Sequence, residues 1–321
     1  LTLPTLTPAK IIRVSAIGIW LLSACTAASV THAEVAAAPA INIEDVARFY
    51  RVYDGAAGHP SAEQLQHDYL DAGTEGLHRF AQLRNISGEA IAAALNVHPD
   101  LYIDARGCMA VLPRVRQRVA RALRKLVELY PQTKLTPVTI AVGRSRPVGV
   151  TTSGGGVMIG LEALCAAGSL NPDPEERFVH VIAHEYAHVQ QLPAMVDDEH
   201  PSVLEGSLVE GGAEFIAELI SGDVAYTQFR RSTRGRELQI ETDFVADKDQ
   251  SDLSKWLYNT PQDQTTPDTL SDLGYWVGYR IVKSYYQRSG DKRRAVRQIL
   301  NLSDPKLFLA QSGWRPGLQL H

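Results

Sequence analysis

The amino-acid sequence predicts an α+β fold that is mainly helical, with a small sheet placed ahead of two chemically loaded helices. Three observations carry this expectation. Apolar residues recur at helical spacing through most of residues 41–130. Short runs rich in β-branched residues then follow at 138–142 and 157–161, bounded by proline and glycine. Two further helical segments, 178–190 and 202–222, carry charged and polar residues within an otherwise apolar pattern.

The bulk composition sets limits. With 45% hydrophobic and 21% charged residues, the 321-residue chain can form a core of ordinary size. A net charge of −4 and the lack of a long basic run argue against a nucleic-acid partner, which needs a concentrated positive surface. The start of the chain stands apart. Lys10 and Arg13 precede an apolar stretch over 14–24 that is too short to span a bilayer, for which about 20 residues are needed. A basic region, a short apolar region and small residues describe a secretory signal, and so an exported, periplasmic protein. Leu22-Ser23-Ala24-Cys25 has the form of a bacterial lipobox, which would lipidate Cys25 and attach the chain to the membrane. Thr31-His32-Ala33 offers an ordinary signal-peptidase site instead, which would leave the protein soluble or secreted. Cys108 and Cys165 then remain as a disulfide or as two buried thiols, and neither sits in a C-x-x-C pattern.

Taken in order, Val46, Phe49, Tyr50 and Tyr53 mark a first helix, and Ser61 caps a second that holds Leu65 and Tyr69. Residues 111–130 are strongly amphipathic. Val115, Val119, Leu123 and Leu126 form the apolar stripe, arginines and Lys125 form a solvated face, and Pro131 ends the helix. The strand at 138–142 lies between Pro137 and Gly143. Gly154, Gly155 and Gly156 mark a tight turn, and without a following Gly-Lys-Ser/Thr they are not a phosphate loop. Asn171-Pro172-Asp173-Pro174 gives a turn and a helix start, with Glu175 and Glu176 in the favourable first turn.

That helix contains His184-Glu185-Tyr186-Ala187-His188, an H-E-x-x-H motif. Residues four apart project from one helix face about a turn apart, so both imidazoles can reach one zinc ion. Glu185 sits beside them, able to take a proton from a zinc-polarised water. Phe178, Val181 and Ile182 back the motif with apolar surface, where three polar groups are costly to bury without a purpose. A third ligand is expected from 202–222. Glu210 and Glu214 share a face there, with Glu210 on the metal and Glu214 receiving the N–H of a ligand histidine. Glu205 is a rival ligand, but no carboxylate lies four residues beyond it. Gly211 and Gly212 weaken a helix interior, and close approach to the histidine helix is a physical reason for them.

H-E-Y-A-H followed by Glu210-Gly211-Gly212-Ala213-Glu214 resembles the gluzincin class of zinc peptidases. It is similar to the N-E-G-x-x of the aminopeptidase branch and to the E-x-x-x-D of thermolysin. No asparagine precedes Glu210, and Glu214 replaces the thermolysin aspartate. The resemblance implies a zincin-like metallopeptidase fold, a peptide or protein substrate, Glu210 as ligand and Glu214 as the orienting group. The stretches 68–73, 255–258 and 273–280 also resemble a bacterial family of predicted zinc-dependent proteases. On this reading residues 1–40 are leader and linker, 41–135 an N-terminal helical region, and 136–321 the zinc-binding catalytic region.

Peptide hydrolysis needs a donor to the developing oxyanion. Tyr275 and Tyr279, four apart and flanked by Gly274 and Gly278, are candidates, as is His200; aromatic packing within a helix is the other account of the tyrosines. The strand at 157–161 is expected at a sheet edge, pairing with an extended peptide as in other zinc peptidases. Segment 230–267 is expected to line the cleft, and 291–313 reads as a closing helical segment without chemistry. Two other functions fit the same residues. One is an envelope-anchored binding or assembly factor with structural zinc, and the other is a zinc hydrolase acting on a non-peptide bond.

Overall fold

Among the described residues, four short strands form one mixed sheet: β1 is Ile41–Asn42, β2 Val138–Ala141, β3 Gly149–Thr152 and β4 Gly156–Gly160. Their order is β1-β2-β4-β3, with β2 parallel to both β1 and β4, and β3 antiparallel to β4. The computed structural model describes residues 39–146, 148–152, 156–260 and 270–320. The leader, Cys25, Gly154 and Gly155 lie outside the described residues. The rest is mainly helical, as an α+β fold requires.

Every residue of β2 and β4 is buried, which is why both read as continuous apolar runs rather than alternating ones. The 157–161 segment, expected at a sheet edge, is therefore an inner strand. Its outer side is covered by Gly149-Val150-Thr151-Thr152, a run too short and too polar to announce itself as a strand. The outer strand beside the histidine helix is β3.

The N-terminal helices follow their apolar stripes. Helix Glu44–Gly55 buries Val46, Phe49 and Tyr50. Ser61 caps the next helix through a capping box with Gln64, but after one α-turn the chain widens into a π-helical segment, Leu65–Asp71. There the hydroxyl of buried Tyr69 donates to the Val142 carbonyl at 2.6 Å and accepts from the Val142 N–H at 2.9 Å, tying this segment to the chain leaving β2. Cys108 and Cys165 form a disulfide that joins the end of helix Pro99–Cys108 to helix Leu161–Ala166.

Helix Leu112–Leu129 buries Val115, Val119, Leu123 and Leu126. Part of its basic face is engaged rather than solvated: Arg114 and Arg118 pair with Glu175 and Glu176 in the first turn of the histidine helix, Pro174–Gln190. Asp173 caps that helix by accepting the Glu176 N–H. The glutamate helix, Val203–Ser221, starts at Ser202 and ends at Gly222, whose φ of +104° gives the left-handed stop that glycine adopts freely.

The glutamate helix packs most closely on the tyrosine helix, Leu273–Arg288, along a seam of small residues. A Cβ on Gly278 would lie 1.7 Å from the Ser207 carbonyl oxygen, and one on Gly211 would lie 2.1 Å from the Gly278 carbonyl carbon. The expected close approach of Gly211 to the histidine helix is thus a close approach to the tyrosine helix instead. Gly212 does face the histidine-helix side, where a Cβ would lie a tight 3.2 Å from the Gln191 amide nitrogen.

Gly278→Ala must push two backbones apart, and should lower stability by about 3 kcal/mol in thermal or urea unfolding. Gly290→Ala, where a Cβ meets nothing within 4 Å, should stay within about 0.5 kcal/mol of the parent.

Candidate metal centre

The histidine and glutamate helices bring His184, His188 and Glu210 into one cluster. The two Nε2 atoms lie 3.1 Å apart, and Glu210 Oε2 is 3.3 Å from each. Ligands about 2.0–2.1 Å from a tetrahedral zinc are roughly 3.3–3.4 Å from one another, so these atoms already stand at three corners of such a site. Among the described residues these three are the protein donors of the cluster, which leaves the fourth corner open.

The far side of each imidazole is fixed. His184 Nδ1–H donates to Glu214 Oε1 at 2.7 Å, and His188 Nδ1–H donates to Gln191 Oε1 at 2.7 Å. Gln191 in turn donates from its amide nitrogen to the Val209 carbonyl at 2.7 Å, which sets the amide's orientation. With both Nδ1 atoms spent as donors, both Nε2 lone pairs point at the shared position. Glu214 also accepts the Tyr226 backbone N–H.

Electrostatics agree with a cation site. Burial opposes a charged His184, but the Glu210 and Glu214 carboxylates outweigh it and push its pKa up to about 10. Burial likewise opposes the charge on His188, and Glu210 raises it. Glu210, which burial alone would push up, is held well below the usual carboxylate range by His188 and His184. Without a metal the cluster retains a proton.

Glu185 faces the sheet. Its Oε2 accepts the Thr151 hydroxyl at 2.7 Å. A Cβ on Gly149 would lie 2.6 Å from Glu185 Oε1, so a larger residue there would displace the carboxylate from its present position. Three tyrosines surround the cluster. The rings of Tyr226 and Tyr275 lie 5.8 and 6.1 Å from the His184 ring, the latter stacked. Their hydroxyls bond no described residue. Burial, followed by the charges of Glu210, Glu214 and Glu185, holds the Tyr226 phenol well above its usual pKa; burial and then Glu210 do the same for Tyr275. Tyr258 donates its hydroxyl to Glu210 Oε1 at 2.8 Å from a left-handed backbone, φ +57°, a conformation that costs a non-glycine residue about 1–3 kcal/mol.

The structure thus brings together His184, Glu185, His188, Glu210, Glu214 and Tyr275. It places Tyr279 elsewhere, with its hydroxyl donating to Glu218 at 2.9 Å and accepting from Lys283 at 2.8 Å. Glu205 is the capping-box residue of Ser202, accepting its N–H at 2.7 Å, and is thereby committed to the start of the helix. His200 is exposed in the 197–200 loop. Segment 230–267 takes in the end of helix Phe229–Ser232 and helix Glu237–Asp247, Tyr258 is its contribution to the cluster, and its residues 261–267 lie outside the described residues. Gln191, Thr151, Tyr226 and Tyr258 were not foreseen. Gln191 had a signal, standing three residues after His188 at the C-cap of the same helix.

The family described as "Predicted Zn-dependent protease (DUF2268)" matches residues 115–305, more than half of the chain and all of the cluster. Of the stretches noted in the sequence, 255–258 and 273–280 fall inside the match and 68–73 falls outside it. No curated protein and no solved structure matches the chain.

Glu210→Gln should lose stoichiometric zinc on dialysis and metal analysis, whereas Glu205→Ala should keep it and lose about 1 kcal/mol of stability with the cap. Because zinc must displace a proton that the imidazoles hold beside the carboxylates, its apparent affinity should climb with pH. The climb should continue above the ordinary histidine value of about 6.5 toward the raised value of about 10 at His184. Competition titrations from pH 5.5 to 9 read this directly, and a plateau from pH 7 upward would contradict it.

Proposed function

This chain belongs to the family of predicted zinc-dependent proteases, and we propose on that premise that it is a zinc peptidase acting through His184, His188, Glu210 and Glu185. The observation that carries the reading is the convergence of three donors at tetrahedral spacing, with a further carboxylate, Glu185, beside His184 on the same helix. A structural zinc site closes with four protein ligands; three donors support the catalytic alternative.

A zinc ion held there supplies a Lewis acid that polarises the peptide carbonyl and acidifies water. The protein's own groups do the rest. Glu185 has one oxygen held by Thr151, and its Oε1 accepts the proton of the attacking water and returns it to the leaving amine nitrogen. Glu214 and Gln191 hold the two imidazoles in one tautomer. The neutral phenols of Tyr226 and Tyr275 donate to the oxygen that gains charge on the attacked carbonyl, a contribution typically worth a factor of about 10²–10³ per donor. β3 is the outer strand beside Glu185, and its free edge suits an extended peptide main chain.

The order of small sheet, histidine helix and glutamate helix supports a zincin-like arrangement, with 136–321 as the catalytic region behind the 41–135 helices. The Cys108–Cys165 disulfide supports an oxidising compartment, and so an exported, periplasmic enzyme with residues 1–40 as leader and linker. Lipidation of Cys25 would anchor it to the membrane.

The test is digestion of a peptide mixture by the zinc-loaded protein, read by mass spectrometry. Cleavage is expected, with Glu185→Gln keeping one zinc and losing turnover by at least roughly 100-fold. Tyr226→Phe and Tyr275→Phe should each lower kcat rather than raise KM. Undiminished hydrolysis by Glu185→Gln would remove the proposed mechanism.

A further inference from the structure

A cavity of about 150 Å³ opens next to His184. Its walls include Glu214, Val224, Tyr226, Phe229, Tyr275 and Trp276. Its place is set by shared residues. Glu214 is the carboxylate that holds His184, and the rings of Tyr226 and Tyr275 that bound the cavity also flank the His184 ring. The space therefore begins within one aromatic ring of a metal-ligating imidazole.

Its lining is largely aromatic, and most of its polar groups are already committed. Glu214 is taken up by the His184 and Tyr226 N–H groups. The Tyr279 hydroxyl, which also borders the cavity, is shared between Glu218 and Lys283. Arg230, at the exposed rim, is paired with Asp223. What remains to meet a guest is aromatic ring surface, the Val224 methyls and the hydroxyls of Tyr226 and Tyr275. Water against the ring faces has few bonding partners and is displaced with a gain by an apolar group. The size is informative as well: apolar cavities of about 150 Å³ take up a benzene ring. A carboxylate guest would approach Glu214, and a cation would lose its hydration with no uncommitted anion to replace it.

We propose that this cavity is the specificity pocket of the enzyme, receiving a bulky apolar side chain (aromatic, leucine or methionine) from a substrate residue adjoining the cleaved bond. The assignment of the guest as a substrate residue rests on the peptidase reading; the pocket's selectivity does not.

Two measurements separate these. The Glu185→Gln protein keeps the pocket and removes turnover. It is titrated with N-acetyl-phenylalanine amide and N-acetyl-alanine amide, with binding followed by NMR. The phenylalanine amide should bind at least about tenfold tighter, in line with what filling an apolar pocket contributes. Val224→Phe in that background, with folding checked by circular dichroism, should erase the advantage by filling the space. Trp276→Ala, which removes a wall at a partly exposed position, should weaken phenylalanine amide binding several-fold. Equal binding of the two amides, or an advantage that survives both variants, overturns the pocket. In the second measurement the zinc-loaded parent digests a peptide library, and phenylalanine, tyrosine, leucine and methionine should be enriched at one position beside the cut. Cleavage without that enrichment overturns the specificity role. Absence of all cleavage with the amide preference intact overturns the peptidase reading and leaves the pocket standing.

Discussion

A buried carboxylate, Glu210, set against one buried and one partly buried imidazole is the constraint on which the site depends. Taking a carboxylate out of water costs several kcal/mol unless positive charge meets it. The imidazoles have already committed their other nitrogens, His184 to Glu214 and His188 to Gln191, so the shared face must hold either a proton or a cation. A proton satisfies one pair of atoms; a metal ion satisfies all three at once. The spacing of the donors, the raised histidines and the lowered glutamate are consequences of the same crowding.

Delivery of Glu210 to that face is a packing problem, and it is solved away from the metal. The glutamate helix can lie against the tyrosine helix only because Gly211 and Gly278 carry no side chains, and Ser207 is small enough to meet Gly278 directly. That seam brings Tyr275 up to His184 in the same step. On the opposite flank Gly149 lets β3 touch Glu185, and Thr151 from the same strand orients it. The helix that presents the histidines is held at its start by the Arg114 and Arg118 pairs, far along the chain from its ligands. Close backbone approaches thus position the groups that a reaction would use.

Much of this was legible in the sequence, and for a local reason. H-E-x-x-H and the Glu210–Glu214 pair each place their groups on one face of a single helix, so period alone brings them together. The choice of Glu210 over Glu205 was also within reach, since Ser202-x-x-Glu205 is a capping box and its glutamate is occupied. Other features depended on what packs where. The glycines at 211 and 278 announce a close contact but not its partner, and for Gly211 that partner is the tyrosine helix rather than the histidine helix. Tyr275 and Tyr279 share a helical spacing, yet the small angular drift over four residues sends Tyr279 to Glu218. β3 is four residues of glycine, valine and threonine and shows itself only through pairing with β4, which for that reason is not an edge. Tyr226 and Tyr258 reach the cluster from connecting segments, where no periodicity points.

The central claim is that two imidazoles and one carboxylate, contributed by two helices, hold a zinc ion with one position left to solvent. The most direct measurement is a crystal structure of the zinc-loaded protein with anomalous data collected at the zinc edge. The account predicts a single fully occupied peak bonded to His184 Nε2, His188 Nε2 and Glu210 at about 2.0–2.2 Å, completed by a solvent oxygen within reach of Glu185. A zinc closed by a fourth protein side chain, or bound by other residues with Glu210 turned away, would contradict it.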